Sequence, residues 1–365
     1  MDLTLGAEQE LLVAAARSFL ARTCPLARVR ALERDPRGFD PSHWRELAGL
    51  GWLGLELPAG DGGGGLGFLE TVLLLEEMGR VLLPSPFLAT VVLAAPLVLA
   101  LGTPAQRRRW LPRIAAGEAV ATLALAEPGW RDPLEPPALA AEGDGGIVQL
   151  SGTKLFVPFA SEADVLLVVT AGPLLVALER GAPGVTCTRL ATLGGDPAYE
   201  VGFDRARGEL VGDPGAAGPA LARALDRGAV GTLAFMVGAA ERALELTLEH
   251  AKTRVQFGRP IGSFQAVAHR CVDMRSDVDA LRYLVYQAAW TLAGGREPAL
   301  AVGAAQAFGV EALRRIFMHA HQVHGAIGFS TEHDLHLFTR RAKAAELQWG
   351  APALHHERVA RAMGL

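Results

Sequence analysis

Arg254 and Phe257 stand three residues apart in the run A-K-T-R-V-Q-F-G-R-P-I-G-S-F-Q-A-V-A-H-R (251–270), at the joint between two long apolar-periodic segments. Gly258 and Pro260 are helix-stopping residues, and Ser263 is of a type that caps the helix that follows. The spacing predicts Arg254 and Phe257 on one face of the last turn of the first helix. A cation and an aromatic ring at a helix end, with Phe264 and Gln265 opening the next helix, could hold a phosphate and a flat ring. The plainer reading is a solvated Arg254 and a core Phe257, and spacing alone leaves both open.

Other chemistries find less support. The glycine run D-G-G-G-G-L-G (Asp61–Gly67) lacks the Gly-Lys-Ser/Thr ending and the preceding apolar strand of a phosphate loop. Three cysteines, Cys24, Cys187 and Cys271, lie far apart, which argues against a disulfide framework or a cysteine metal site. Lys and Arg total 35 against 39 Asp and Glu, a formal charge of −4, so no overall attraction to nucleic acid is expected. The start M-D-L-T-L-G-A-E-Q-E is acidic and polar, unlike a signal peptide. The most apolar run, Phe87 to Leu101, is shorter than the roughly 20 residues that span a bilayer. A cytoplasmic protein without a membrane partner is the expectation.

Three stretches of different pattern must position these residues in 365. Residues 1–118 read as a helical domain, with Leu11, Leu12, Ala15, Phe19 and Leu20 at helical spacing and a second amphipathic segment at Trp44, Leu47 and Leu50. Residues 119–212 alternate short apolar runs (121–126, 147–150, 165–170, 174–178, 184–188) with Gly, Pro and Asp, which predicts an antiparallel β-barrel or sandwich. Residues 213–365 predict a four-helix bundle, with helices at about 216–253, 264–293, 300–324 and 334–348. The fold class is therefore α+β.

The motifs R-V-Q-F-G-R-P-I-G-S-F-Q-A-V-A-H-R-C-V-D-M (254–274) and Q-V-H-G-A-I-G-F-S-T-E-H-D-L-H-L (322–337) resemble the two C-terminal signatures of acyl-CoA dehydrogenases. Diffuse matches at Trp44–Pro58, Leu75–Arg80 and Gln106–Gly117 extend the resemblance over the whole chain. H-R-C-V-D-M together with R-R-A-K-A-A-E-L-Q-W-G-A-P-A-L-H-H-E is most similar to actinobacterial-type members. Several of these work as α2β2 heterotetramers on bulky CoA thioesters such as sterol side chains.

The resemblance implies FAD as cofactor, an acyl-CoA substrate and an electron-transfer flavoprotein as acceptor. It implies that FAD lies between the β-domain and bundle of one subunit and is completed by its neighbour. The neighbour's part matches Arg254, Gln256, Phe257, Phe264, Gln265, Gln322 and Gly325 here. Arg offers a forked, permanent cation for a pyrophosphate, and glycine admits close approach.

The chain departs from the family where the reaction needs its base, a carboxylate that takes the α-proton. At the two family positions stand Trp349 and, within a residue or two, Gly228. Asp226 and Glu346 are the nearby acids. Where the family has T-E-P-G-x-G-S-D, this chain has A-E-P-G-W-R-D (126–132), so Ala126 replaces a hydroxyl and Trp130 and Arg131 are inserted. The family's W-I-T-N matches Phe156, Val157, Pro158 and Phe159, and Pro158 brings neither hydroxyl nor N–H. Ala351 and Ala353 replace polar residues that contact FAD. The expectation is a subunit that completes a paralogous partner's FAD site. The alternatives are a self-sufficient homo-oligomeric dehydrogenase with a displaced base, and a non-dehydrogenase flavin-fold protein of monooxygenase or scaffold type.

Overall fold

The computed structural model describes residues 4–130, 137–143, 145–172 and 174–365. Contacts divide the chain into two units, one of Met1–Val29, Phe68–Leu83 and Ala229–Leu365, the other of Arg30–Gly67 and Pro84–Gly228. The helices are α1 (Ala7–Thr23), α2 (Leu26–Arg34), α3 (Pro41–Gly49), α4 (Phe68–Arg80), α5 (Ala95–Leu101), α6 (Pro104–Ala115), α7 (Ala217–Thr253), α8 (Gln265–Ala293), α9 (Ala299–His324), α10 (Ala326–Phe329), α11 (Leu335–Gln348) and α12 (Pro352–Ala362). The strands are β1 (Ala121–Ala124), β2 (Ala141–Glu142), β3 (Ile147–Pro158), β4 (Val165–Thr170), β5 (Leu174–Glu179), β6 (Val185–Leu190), β7 (Ala198–Leu210), β8 (Val255–Gln256) and β9 (Arg259–Pro260).

In the second unit, local chemistry sets the helix starts. Asp40 accepts from the Ser42 and His43 amides to open α3, and Thr103 and Gln106 form a reciprocal capping box that opens α6. The apolar segment before α5 winds as a wider, π-type helix over Leu88–Ala94. The sheet runs β1-β4-β5-β7-β3-β2, with β6 on β7. Its ladders are antiparallel as expected, with one correction: β1 lies parallel to β4. The excursion through β2 and β3 between them allows the parallel edge that a tight hairpin would forbid. One apolar cluster joins Val165, Leu167 and Val169 to Trp110, Leu111 and Ile114; another holds Leu150, Tyr199, Val201 and Phe203.

β7 is a strand that the run-by-run reading missed. Its buried positions Tyr199, Val201, Phe203, Ala206 and Gly208 are interleaved with Glu200, Gly202, Asp204, Arg205 and Arg207, so alternation is present without an apolar run.

In the first unit α8 and α9 form the core pair, with α11 and α12 also against α9 and α4 against α8. In α8, Cys271, Met274, Val278, Leu281 and Val285 are buried at the three- and four-residue spacing of an amphipathic helix. Glycines set the closest crossings. A Cβ on Gly79 of α4 would strike the Phe235 carbonyl, and one on Gly238 of α7 would strike the Glu76 carbonyl. Beside this crossing Glu76 accepts from the Tyr286 hydroxyl (2.8 Å) and Arg282 Nε (2.9 Å), so its buried charge is paired. Of the α1 stripe, Leu20 is buried while Leu11 is exposed, and Ala16 takes the inward position.

Two expectations about the 251–270 joint are corrected. α7 ends at Thr253, ahead of Gly258 and Pro260, and Arg254–Phe257 leave the helix as one side of the β8–β9 hairpin. Ser263 does not cap α8: its hydroxyl donates to the Pro260 carbonyl (2.7 Å), and Phe264 occupies the N-cap position. Arg254 and Phe257 therefore owe their common surface to a hairpin, not to helical spacing.

Candidate functional site

The hairpin is a two-residue turn. Val255 pairs with Pro260 and Gln256 with Arg259, with Phe257 (φ 53°) and Gly258 (φ 78°) at the tip. Both tip residues have positive φ, as the right-handed strand twist requires, but this is a costly conformation for a phenylalanine, on the order of 1–3 kcal/mol. Phe257 is also 92% exposed. A strained aromatic held in solvent is not a core residue, so the core reading fails.

The tip is organised nonetheless. Phe264 meets Phe257 edge-on, with centroids 6.0 Å apart, and the Arg259 guanidinium lies 4.1 Å over the Phe264 ring. The Arg254 carbonyl accepts from the Ile261 amide (2.8 Å), which folds the chain back toward α8. Arg254, Gln256 and Gln265 are exposed, and Arg254 makes no ion pair among the described residues. Arg259 belongs to this surface, although only its position in the motif pointed to it.

Gln322 and Gly325 lie on the last turn of α9 and the turn after it. Gly325 has φ 65° and ψ −143°, a conformation essentially confined to glycine, and nothing lies within 4 Å of where a Cβ would stand. Gln322 is exposed and lines, with Gly325, Arg314, His321 and Glu346, a 750 Å³ groove between α9, α10 and α11. These groups suit an anionic, aromatic cofactor: an unpaired fork of N–H donors, aromatic edges and an open glycine backbone.

Trp349 closes α11 and is only 8% exposed. Its indole N–H donates to the Thr232 hydroxyl on α7 (2.9 Å). At the position where the motif resemblance implies an acid, this chain has a neutral ring held by a buried hydrogen bond. Thr232 escaped sequence reasoning because its partner is 117 residues away. Gly228 lies four residues before Thr232 on α7, in a continuously buried stretch.

The candidate acids differ. Glu346 is engaged by Arg314 and by Lys343 (3.0 Å). Burial pushes its carboxyl up, but the bonds from Arg314 and Lys343 outweigh this and hold it below the ordinary glutamate value. A base for an α-proton needs the opposite shift. Asp226 is 9% exposed on α7. Its neighbour Arg227 donates to Glu56 (2.7 Å).

The β-domain segment is equally committed to structure. Ala126 is half-buried, and its carbonyl accepts from the Leu155 amide (2.8 Å). Fully buried Lys154 donates to the Leu125 carbonyl (2.9 Å) and to Glu127 (2.6 Å), pinning the chain on both sides of Ala126. Phe156 has φ 53° and is exposed. The Pro158 carbonyl accepts from the buried Thr122 hydroxyl (2.6 Å), so that hydroxyl is turned to the backbone. Arg131 and Asp132 lie outside the described residues. Ala126, Phe156 and Pro158 thus present no side-chain donor to a flavin ring, and on this half the fit is poor.

No described helix is long and apolar enough to cross a membrane, and no group of His, Cys, Asp or Glu among the described residues could hold a metal.

The acyl-CoA dehydrogenase N-terminal domain model matches residues 6–118, and the C-terminal domain model matches residues 218–364. Acyl-CoA dehydrogenase FadE27 of Mycobacterium tuberculosis is 34% identical over 376 residues, spanning 99% of this chain and 98% of that protein. Among solved structures, a variant of the Tcur3481-Tcur3483 steroid ACAD superposes with a TM-score of 0.90 at 32% identity over 99% of both chains. The ChsE4-ChsE5 complex from Mycobacterium tuberculosis gives a TM-score of 0.91 at 31% identity over 100% of this chain and 99% of its counterpart. Sequence motifs, fold and relatives agree that this chain belongs to the acyl-CoA dehydrogenase family of FAD-binding oxidoreductases.

Proposed function

We propose that this chain is one subunit of a hetero-oligomeric FAD-dependent acyl-CoA dehydrogenase. It pairs with a paralogous catalytic chain and completes that partner's FAD site through Arg254, Phe257, Gln322 and their neighbours. The observation that carries the reading is the contrast at Trp349: a base position filled by a neutral indole bonded to Thr232, in a chain whose hairpin half is exposed and unpaired. The two-component relatives, the Tcur3481-Tcur3483 steroid ACAD and the ChsE4-ChsE5 complex, support a bulky, steroid-derived acyl-CoA as the substrate class. An electron-transfer flavoprotein is the proposed acceptor.

FAD, when bound, supplies the acceptor for the β-hydrogen of the acyl thioester. This chain's residues hold rather than react. Arg254 presents two parallel N–H donors to a pyrophosphate. Phe257 and Phe264 give aromatic edges against a flat ring, and Arg259 stiffens Phe264. Gly325 lets the backbone approach closely, and Gln322 adds an amide beside it. Trp349 and Thr232 exclude water and move no proton.

The test is flavin content. The chain expressed alone should be colourless, and should turn yellow when co-expressed with a paralogous acyl-CoA dehydrogenase chain from the same genome. Flavin bound by the isolated chain, bleached on adding an acyl-CoA, would reject the proposal.

Asp226 favours the second reading, a self-sufficient enzyme with a displaced base. It is a buried carboxylate two residues before Gly228. An acid–base group is worth about 10²–10⁴ in rate, so Asp226→Asn would then abolish most turnover.

A further inference from the structure

We infer that a stack of neutral imidazoles, His250, His324 and His333 with His321 beside them, positions the Gln322–Gly325 turn, and that acid pH charges the stack and releases the half-site this chain provides; the link to flavin rests on the function proposed above. The rings are in contact. His324 stacks on His250 at 4.7 Å with a 24° tilt and meets His333 edge-on at 4.8 Å. His321 stacks on Phe329 at 4.4 Å and 22°. Gln322 and Gly325 flank His324 in the chain, so the turn is mounted on these rings.

The neighbours dictate each ring's protonation. His324 Nδ1 lies 2.8 Å from the Ala320 carbonyl, which only accepts, so Nδ1 carries the proton and Nε2 is bare. That Nε2 is buried with no hydrogen-bond partner among the described residues. His321 Nε2 lies 2.7 Å from the Thr339 hydroxyl, which itself donates to the Leu335 carbonyl (3.2 Å); the imidazole must therefore donate. Its Nδ1 is bare, buried and likewise unpartnered among the described residues. His333 Nδ1 accepts from the Leu335 amide (3.1 Å) and so starts α11. A second proton on His324 or His321 would bury a cation and an unmade donor, and one on His333 would break the bond that opens α11.

The groups around the stack offer little relief. His250, His333 and His321 act on His324; Arg254 and His333 act on His250; His333 and His336 act on His321. All are bases, while Glu332 and Asp334 flank His333 in the chain. Burial is the largest influence and takes His324 from 6.5 down to about 4, with the neighbouring imidazoles adding and the Ala320 carbonyl opposing. Burial also lowers His250 and His321. A histidine lowered by folding binds fewer protons in the fold than in the unfolded chain. Its arrangement is therefore stable above about pH 6.5 and is lost as pH falls toward about 4.

The experiment uses the co-expressed assembly and the double variant His324→Phe/His333→Asn. Phenylalanine keeps a stacking face, and asparagine keeps an acceptor for the Leu335 amide. Flavin released on ultrafiltration is measured from pH 7.5 to 5. Wild type should release at least about tenfold more at pH 5 than at pH 7.5, the steep response expected when several sites gain protons together, and the variant less than about twofold. Equal acid release by both overturns the inference and leaves the proposed function standing. An assembly without flavin at pH 7.5 defeats the proposed function instead, and the melting temperature then decides the stack. It should fall between pH 6.5 and 5 in wild type and hold in the variant, and parallel curves overturn the inference. If the double variant melts below wild type at pH 7.5, His324→Phe alone is read in the same way.

Discussion

The hairpin of Arg254–Pro260 and the α11 terminus at Trp349 sit in the same compact unit but are built on opposite terms. At the hairpin an aromatic side chain is exposed at a positive φ, and a guanidinium carries no counter-charge among the described residues. These are the marks of a surface completed by something else. At Trp349 the side chain is buried, neutral and bonded to Thr232, so nothing is left to satisfy. The first region leaves an aromatic ring and a cation facing outward at a cost to its own fold. The second is closed by packing and one buried hydrogen bond. A chain that held and used its own flavin would need both regions reactive.

Substitutions can break or sharpen this contrast. Arg254→Ala should have the largest effect: loss of charge-assisted bonds worth about 1.5–3 kcal/mol each would weaken flavin retention by the assembly at least tenfold. Unchanged flavin stoichiometry would remove Arg254 from the site. Trp349→Ala should act on stability instead, lowering it by about 3–5 kcal/mol through a buried cavity and an orphaned Thr232 hydroxyl. Thermal melting of the isolated chain reads this out.

Phe257→Gly should separate the two properties. Relief of the positive φ should raise the isolated chain's stability by roughly 1 kcal/mol, while the assembly retains flavin several-fold less well. A variant that loses stability would show that Phe257 serves the chain's own fold. Smallest of all, Glu346→Gln should leave turnover of the assembly within about twofold, and its loss of stability should stay below about 1 kcal/mol, because Arg314 and Lys343 are largely exposed partners. The depressed carboxyl of Glu346 contributes at neutral pH and stops contributing as pH falls below its ordinary 4.5, so wild type and variant should converge in acid.

Much of this was legible in the chain itself. The α8 stripe from Cys271 to Val285 and the Thr103–Gln106 capping box depend on neighbours three or four residues apart, and such spacing can be read directly. The motifs around Arg254 and Gln322 carried the family. What escaped reading depends on distant partners. β7 hides because Gly202, Asp204 and Gly208 interrupt it, and it becomes a strand through β3, β5 and β6. The hairpin tip reads as a helix end in the sequence because a phenylalanine at positive φ contradicts local preference. The Trp349–Thr232 bond and the His250–His324–His333 stack each join residues from separate elements, so no local pattern announces them.

Flavin stoichiometry per chain tests the division of labour most directly. The account predicts no flavin on the chain purified alone, and, after co-purification with the paralogous dehydrogenase, fewer flavins than chains, with that flavin lost when this chain carries Arg254→Ala. One flavin on every copy of the isolated chain, reduced by an acyl-CoA, would contradict it.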